Sequence, residues 1–236
     1  LEFRGQDLNE EDQARFADYF GNPSPTQAPD KRSAKYNPDP RVLLITNIRE
    51  DGKPIGFLPD GELQFHSDSA FLDHPLMATV LYAVEIPTHG GNTLFANMYM
   101  AFASLAPEMK SRLANRKGHN VYDFTTQIKT RKLDRTGLPH AVHPVIRVHP
   151  ETGGKGIYVN RLMTEEIDEM GPEESQAVLS ELFETIERPE IIYEHVWQKG
   201  DLVIWDNRCA QHARRDFPTD QKRLMRRIGI DGDAPF

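Results

Sequence analysis

The arrangement of strand-forming segments along the chain constrains the fold more than any other feature. Short apolar segments rich in strand-forming residues occur at residues 41–47, 79–86, 93–97, 145–149, 156–160, 190–197, 202–205 and 223–230. Helical patterns occur at residues 9–19, 101–116 and 172–187. Parallel strands need long crossovers, usually helices, between them, and this chain does not alternate strands and helices one for one. We therefore predict a mostly β fold, an antiparallel sandwich or jelly roll with helices packed on it.

The composition excludes several classes of protein. The formal net charge of −8 argues against nucleic acid as the main partner. No apolar run approaches the roughly 20 residues that a membrane-spanning helix requires, so we expect no membrane partner. The single cysteine, Cys209, excludes an internal disulfide framework and is compatible with a reducing compartment. We expect a cytoplasmic protein.

The length and the first residues bear on the domain organisation. The chain has 236 residues, which suits one large domain or two small ones. It begins at Leu1 without an initiator Met and already in a strand-like pattern. We therefore expect that a preceding N-terminal segment is missing from this sequence.

One motif carries the residue types of a metal site. The segment FHSD places His66 and Asp68 two residues apart, and in an extended chain such residues face the same side. An imidazole and a carboxylate are two of the three ligands in the facial triad of non-haem Fe(II) oxygenases. A surface histidine beside a surface aspartate would produce the same pattern by chance. The motif therefore needs a third ligand from a distant part of the chain.

The best candidate for the third ligand is His212. It follows the apolar strand at 202–205 and a polar turn at 206–208. The remaining histidines lie beside prolines, glycines or charged strands, where a solvated or capping role is expected. They are His74, His89, His119, His140, His143, His149 and His195.

The last predicted strand carries two arginines four residues apart, a spacing that places them on the same face of the strand. Arg223, Met225 and Arg227 share one face, and Leu224, Arg226 and Ile228 share the other. Two inward arginines would be costly without anionic partners, and arginine is suited to holding a carboxylate through two parallel hydrogen bonds. The alternative is a cationic edge strand whose arginines point to solvent and discourage aggregation.

Taken together, these motifs resemble the taurine / 2,4-dichlorophenoxyacetate dioxygenase family of Fe(II)- and 2-oxoglutarate-dependent oxygenases. The matching segments are FHSDSAF, IPTHGGNTLFANM, HPVIRVHPETG and GDLVIWDNRCAQH, with an arginine eleven residues after His212. They occur in the right order and span nearly the whole chain. The resemblance implies a double-stranded β-helix, a cupin-like jelly roll, formed by residues 1–236 as a single dioxygenase domain.

The resemblance also implies a role for each matching residue. His66, Asp68 and His212 match the Fe(II) ligands, with 2-oxoglutarate and O2 as cosubstrates. Thr93, in the segment GGNT, matches a threonine that hydrogen-bonds the far carboxylate of 2-oxoglutarate. Arg223 matches the arginine that pairs with that same carboxylate.

The substrate side of the resemblance is less complete. Arg227 matches an arginine that binds the sulfonate in the taurine enzyme, although it could instead pair with the near carboxylate of 2-oxoglutarate or with an acid elsewhere in the chain. The two aromatic positions of that enzyme's pocket fall on Ile128 and Met163. This more apolar pocket favours a larger or aromatic anionic substrate over taurine. The segment WDN at 205–207 matches a structural signature, which we interpret as packing and turn residues.

The function implied is hydroxylation of a small anionic organic substrate with release of succinate and CO2. The substrate classes are sulfonates, sulfate esters, aryloxyalkanoates and other carboxylates. Two alternatives remain open: a zinc-dependent hydrolase on the same barrel, which could use the same three ligands, and a hydroxylase acting in natural-product biosynthesis. The family resemblance also suggests a homodimer or homotetramer.

Overall fold

Alternation of apolar side chains along the strands builds two main antiparallel sheets, of five and four strands, with helices on their outer surfaces. Three smaller sheets of two or three strands accompany them in the described residues. The computed structural model describes residues 1–25, 39–57, 61–122 and 135–236. The strands in these ranges are β1 (Glu2–Phe3), β2 (Leu43–Thr46), β3 (Arg49–Glu50), β4 (Lys53–Pro54), β5 (Leu63–His66), β6 (Ala78–Glu85), β7 (Thr93–Asn97), β8 (Lys117–Val121), β9 (His140–Pro144), β10 (Ile146–Val148), β11 (Lys155–Ile157), β12 (Thr164–Ile167), β13 (Ile192–His195), β14 (Leu202–Asp206), β15 (Ala210–Arg214) and β16 (Leu224–Ile230). The helices are α1 (Glu10–Asp18), α2 (Met98–Ser104), α3 (Pro107–Leu113) and α4 (Pro172–Ile186), with a 3-10 helix at Pro189–Ile191. The prediction of a mostly β fold with flanking helices is confirmed.

The larger sheet has the strand order β1-β14-β6-β16-β2, and its neighbouring strands are antiparallel. Along β16, Met225 is fully buried in a cluster with Trp205 and Leu81 on the inner face. Leu224 and Ile228 instead pack on the outer face, in the cluster that includes apolar residues of α1. The predicted division of this strand into two faces is therefore confirmed.

The smaller sheet has the strand order β13-β7-β15-β5 and covers the inner face of the larger sheet. Phe95 of β7 reaches across to Trp205 of β14, with 5.2 Å between the ring centroids. The outer face of the smaller sheet is covered by helices, because Leu94 and Ala213 share one buried cluster with Leu182 of α4. This two-layer packing leaves a space between the sheets in which polar side chains of both can meet.

Helix α1 shows the start signal that its sequence predicts. The side chain of Asn9 accepts a hydrogen bond from the backbone N–H of Asp12, and Asp12 in turn accepts from the backbone of Asn9. This reciprocal capping satisfies donors that have no partner within the helix. Helix α4 also agrees with its prediction, with Pro172 in its first turn.

Two predicted elements differ from the structure. The helix predicted at 101–116 is two short helices, α2 and α3, because Leu105 and Ala106 are extended and Pro107 begins the second helix. A proline has no N–H to donate and restricts the residue before it to extended conformations. The strand predicted at 190–197 begins later, at Ile192, after the 3-10 helix.

The longest helix in the described ranges is α4, with 15 residues. No helix in this part of the chain has both the length and the apolar character that a membrane crossing demands.

Replacing Leu182 by Ala is expected to lower the free energy of unfolding by about 2–5 kcal/mol, the cost of leaving a cavity in a packed core. Leu182 has no exposed surface and lies in the cluster between α4 and the smaller sheet. Chemical denaturation followed by circular dichroism measures the change. Glu184→Ala on the exposed side of the same helix is the control, and equal stability of the two variants would contradict this packing.

Candidate metal centre and active site

Two histidines face each other across neighbouring strands at the edge of the smaller sheet. β5 and β15 are antiparallel, and His66 and His212 are direct partners in their register. Directly opposed residues of neighbouring strands project on the same side of a sheet, and the two ring centroids are 4.1 Å apart. The structure therefore brings together side chains that are 146 residues apart, the difference between positions 66 and 212.

Asp68 completes the cluster from the turn that follows β5. Its Oδ1 lies 3.8 Å from Nε2 of His66. Candidate ligand atoms of His66, Asp68 and His212 all lie within 4.8 Å of one another. These are the three residues predicted from the sequence as metal ligands, and their geometry suits one ion bound between them.

The two imidazoles are held in a neutral, metal-binding form. Nδ1 of His66 donates a hydrogen bond to the carbonyl oxygen of Gln64 at 2.8 Å, which leaves the lone pair of Nε2 facing the cluster. Burial lowers the pKa of His66. Burial, reinforced by the neighbouring His66, lowers the pKa of His212 to about 3. Neither ring then carries a proton that would compete with a metal ion at neutral pH.

Asp68 is ionised although it is buried. Burial by itself would raise its pKa, but the charge of the Arg227 guanidinium, together with the hydrogen bond from Thr79, holds the pKa well below its usual range. Nη2 of Arg227 lies 3.0 Å from Oδ1 of Asp68, and the hydroxyl of Thr79 donates to Oδ2 at 2.5 Å. One carboxylate and two neutral imidazoles form a ligand set that suits a divalent transition metal with open coordination positions.

A buried cation lies beside this cluster. Arg223 is 1% exposed, and its Nε and Nη1 contact no hydrogen-bond acceptor in the described part of the chain. Burial, together with the charge of Arg214, lowers the pKa of Arg223 to about 9, so the guanidinium stays charged at neutral pH. A buried charge without a counter-ion is strongly unfavourable. Arg223 therefore fits a binding site for an anion from outside the chain.

The two glycines of the GGNT segment make room for this guanidinium. Gly90 and Gly91 have positive φ angles of 76° and 67°, a backbone conformation that glycine adopts without steric cost. A Cβ atom at Gly91 would lie 3.4 Å from Nε of Arg223, and one at Gly90 would lie 2.5 Å from a backbone oxygen of Asp216. The glycines thus allow the close approach of the turn, the loop carrying Asp216 and the buried arginine.

Thr93 presents a hydroxyl to the same space. Its Oγ1 accepts a hydrogen bond from Nε1 of Trp197 at 2.9 Å. Because an indole nitrogen can only donate, the hydroxyl hydrogen of Thr93 remains available for a second acceptor, such as a carboxylate. Arg214 is the direct register partner of Thr93 on β15. The two arginines and the hydroxyl therefore form the anion-binding side of the site.

A cavity of about 160 Å³ contacts both the metal-binding cluster and the anion-binding side. Its remaining wall is largely apolar and includes Phe71, Tyr122 and Met163. The rings of Phe71 and Tyr122 pack edge to face with 4.5 Å between their centroids. Met163 is where the sequence predicts a substrate contact, whereas Ile128, the other predicted contact, lies outside the described residues.

Four site residues were not singled out as functional by the sequence: Thr79, Trp197, Asn207 and Arg214. The sequence could have indicated Arg214, because it lies two residues after His212 on the same strand and should therefore face the same side. Asn207 has a signal in the WDN signature, which we interpret as packing and turn residues. Thr79 and Trp197 have none, because their importance depends on which strand lies opposite.

Two further clusters hold residue types that bind metals, but their side chains already pair within the protein. His149 packs against Asp206, whose carboxylate is held by three hydrogen bonds from the Arg208 side chain. His195 is fully buried and contacts Asp201, which also accepts the backbone N–H of Gln198. These contacts are structural, and the expected capping role of His149 agrees with the backbone N–H groups that its Nδ1 accepts.

Similarity to known proteins agrees with this site. The chain is 33% identical over 254 aligned residues to pentalenolactone F synthase of Streptomyces avermitilis. This alignment covers 100% of this chain and 82% of that protein. It is 29% identical over 253 residues to the alpha-ketoglutarate-dependent 2,4-dichlorophenoxyacetate dioxygenase of Cupriavidus pinatubonensis, covering 99% and 85%. The solved structure of AAD-2 in complex with Mn(II) and N-oxalylglycine has a TM-score of 0.79 at 27% identity, covering 100% of this chain and 83% of that one.

The family match confirms the resemblance predicted from the motifs. Residues 1–228 match the family described as taurine catabolism dioxygenase TauD, TfdA. Because this match extends over nearly the whole chain, the protein belongs to the taurine catabolism dioxygenase TauD, TfdA family.

Proposed function

We propose that this protein is an Fe(II)- and 2-oxoglutarate-dependent dioxygenase that hydroxylates a small anionic organic substrate and releases succinate and CO2. The observation that carries the proposal is Arg223, a buried guanidinium that opens onto the cavity shared with His66, Asp68 and His212. A carboxylate cosubstrate accounts for this charge. A hydrolase that needs only a metal-bound water does not.

The fold supports the same proposal. Two facing antiparallel sheets with the ligands at one open end support a double-stranded β-helix. The family match over residues 1–228 supports a single domain. The lone free thiol of Cys209 supports a cytoplasmic location, and family membership supports a homodimer or homotetramer.

His66, Asp68 and His212 would hold Fe(II) and leave its other coordination positions for 2-oxoglutarate and O2. When bound, the metal supplies the oxidative decarboxylation of 2-oxoglutarate by O2 to succinate and CO2, with the second oxygen atom inserted into a C–H bond of the substrate. The protein would contribute ligands that are already in their metal-binding protonation states, since the imidazoles are neutral and Asp68 is ionised.

Arg223 and Thr93 would bind the far carboxylate of 2-oxoglutarate. The guanidinium provides the charge, and the Thr93 hydroxyl donates because Trp197 already occupies its oxygen as an acceptor. Arg214, directly opposite Thr93, adds a second positive charge to this side of the cavity. Such charge-assisted bonds fix the cosubstrate on one side and leave the apolar side for substrate.

The remaining wall indicates the kind of substrate. Phe71, Tyr122 and Met163 offer apolar and aromatic surface that suits a hydrophobic body. Arg227 lines the same cavity and would hold the anionic group of the substrate. Its Nη2 lies 3.0 Å from Oδ1 of Asp68, so an acid of the chain satisfies part of this charge, and the rest of the guanidinium would bind the substrate anion.

A second candidate concerns the biological role of the hydroxylation. The similarity to pentalenolactone F synthase, at 33% identity over the full chain, favours a hydroxylase of natural-product biosynthesis. The apolar wall is compatible with such a substrate. A succinate-release screen across sulfonates, alkyl sulfates, aryloxyalkanoates and other carboxylates, with lactones added, separates the two roles.

Replacing His212 by Ala is expected to abolish Fe(II)-dependent succinate release and to weaken Fe(II) binding, because only two protein ligands remain. Anaerobic titration calorimetry measures the binding. His74→Ala is the control, since His74 is exposed and outside the cluster. Unchanged Fe(II) binding by His212→Ala would refute the ligand set, and substrate hydrolysis with Zn(II) but no 2-oxoglutarate would favour the hydrolase.

Replacing Arg223 by Met is expected to raise the KM for 2-oxoglutarate by about 10- to 100-fold. A charge-assisted hydrogen bond contributes about 1.5–3 kcal/mol, and each ~1.4 kcal/mol is a factor of ten. Arg215→Met removes an exposed arginine that follows Arg214 in the sequence, and it should leave the KM for 2-oxoglutarate unchanged. The cosubstrate role of Arg223 fails if both variants keep the wild-type KM.

Replacing Arg227 by Met is expected to raise the KM for the first anionic substrate found in the screen by about 10- to 100-fold, by the same arithmetic. The KM for 2-oxoglutarate in the slow substrate-free reaction should stay unchanged when it is measured at saturating Fe(II), a condition needed because Arg227 also pairs with Asp68. A rise in the 2-oxoglutarate KM instead would assign Arg227 to the cosubstrate. Normal processing of the anionic substrate would exclude a substrate contact.

A further inference from the structure

The carboxylate of Asp68 is held differently at its two oxygens. Oδ1 faces Nε2 of His66 and Nη2 of Arg227, on the side where the candidate ligand atoms converge. Oδ2 accepts the hydroxyl of Thr79 at 2.5 Å. Thr79 lies on β6 in the larger sheet and is fully buried. One oxygen is therefore directed toward the cluster and the other is bonded away from it.

Two hydrogen bonds lead from Trp205 through Asn207 to Thr79, and the donor of each is fixed. Nε1 of Trp205 donates to Oδ1 of Asn207 at 2.9 Å, and because an indole can only donate, this contact fixes the orientation of the amide. Nδ2 of Asn207 then donates to Oγ1 of Thr79 at 3.0 Å. The hydroxyl hydrogen of Thr79 is left to point at Asp68, which can only accept.

The fold keeps these groups in place without solvent. Trp205 and Thr79 are direct register partners on β14 and β6. Asn207 is 1% exposed, and its backbone oxygen accepts the hydroxyl of Ser67, the residue between two of the candidate ligands. The ring of Trp205 also packs against His212, with 4.7 Å between the centroids. A fully paired buried network of this kind is rigid, whereas a partly paired one is costly.

We propose that Thr79 is a positioning residue of the metal centre, and that Asn207 and Trp205 direct its hydroxyl. By holding Oδ2, Thr79 presents Asp68 to the metal through one oxygen only. A carboxylate that turned both oxygens to the ion would occupy a coordination position that 2-oxoglutarate or O2 requires. The inference deepens the proposed function and rests on it only through the three candidate ligands.

Neighbouring residues show why such a restraint is needed. Asp68 lies in the turn after β5, and Ser69, which follows it, has a positive φ of 61°. The pairing of β5 with β15 ends at His66. Among the described residues, strand pairing in the smaller sheet therefore does not hold the turn that carries Asp68. The Thr79 hydroxyl attaches the carboxylate to the larger sheet instead. Partners that orient metal ligands in this way typically change metal affinity by about 10- to 100-fold when they are removed.

The test is a titration with Mn(II) under conditions that need no turnover, with free Mn(II) measured by electron paramagnetic resonance. Thr79→Val removes the hydroxyl and keeps the shape, and we expect its Mn(II) affinity to fall about 10- to 100-fold. Thr79→Ser retains the donor and should restore most of the affinity. Thr185→Val is the matched control, because Thr185 is an equally buried hydroxyl that donates to Glu181 within α4.

The outcomes separate the positioning role from the proposed function. A wild-type protein that does not bind Mn(II) would overturn the proposed function and, with it, the metal centre that Thr79 would position. Wild-type affinity in Thr79→Val, or equal loss in Thr79→Ser, would overturn the positioning role. If Thr79→Val does not fold, Asn207→Asp decides: the new carboxylate competes with Asp68 for the Thr79 hydrogen, and unchanged Mn(II) affinity in that variant overturns the proposal.

Discussion

The position of β15 between β5 and β7 is the constraint on which the site depends. Its register sets His212 opposite His66 on one side and Arg214 opposite Thr93 on the other. A single strand therefore links the metal-binding cluster to the anion-binding side. Because side chains alternate along a strand, a slip of one residue would turn both His212 and Arg214 to the helix-covered face. The apolar cluster beneath the smaller sheet, which includes Ala213, opposes such a slip.

Charge in a buried setting is the second organising effect. Asp68 is ionised because the charge of Arg227 and the hydrogen bond from Thr79 offset the cost of its burial. Nε and Nη1 of Arg223 have no acceptor among the described residues, so a positive charge lies unpaired where the proposed anionic cosubstrate would bind. The same low-dielectric surroundings that make this charge unfavourable in the free protein strengthen its attraction for a carboxylate. Burial thus supplies both selectivity for an anion and the force that holds it.

The two sheets contribute different parts of one centre. The smaller sheet supplies His66, His212 and Thr93, while Arg227 and Thr79 come from the larger sheet. Asp68 is where the two meet, since its backbone follows β5 and its carboxylate is held from the larger sheet. Any change in the spacing of the sheets would reach the metal centre through this residue. The apolar cluster between them, with Trp205 in contact with Phe95, sets that spacing.

Short-range periodicity and motifs were enough to predict a mostly β fold, the pairing of His66 with Asp68, and the common inward face of Arg223 and Arg227. The predicted extended segment ends at His66, however, and Asp68 reaches the cluster from a turn. The contacts between strands far apart in sequence came from the packing of the sheets. This packing paired Arg227 with an acid of the chain and placed Asn207 of the WDN segment within hydrogen-bond distance of Thr79. The division of the predicted helix at 101–116 has a local cause instead, because Pro107 begins a second helix. Alternation along a strand is a local property of the backbone, which a single segment reveals. The register between strands is selected by the fit of whole sheets, which no single segment specifies.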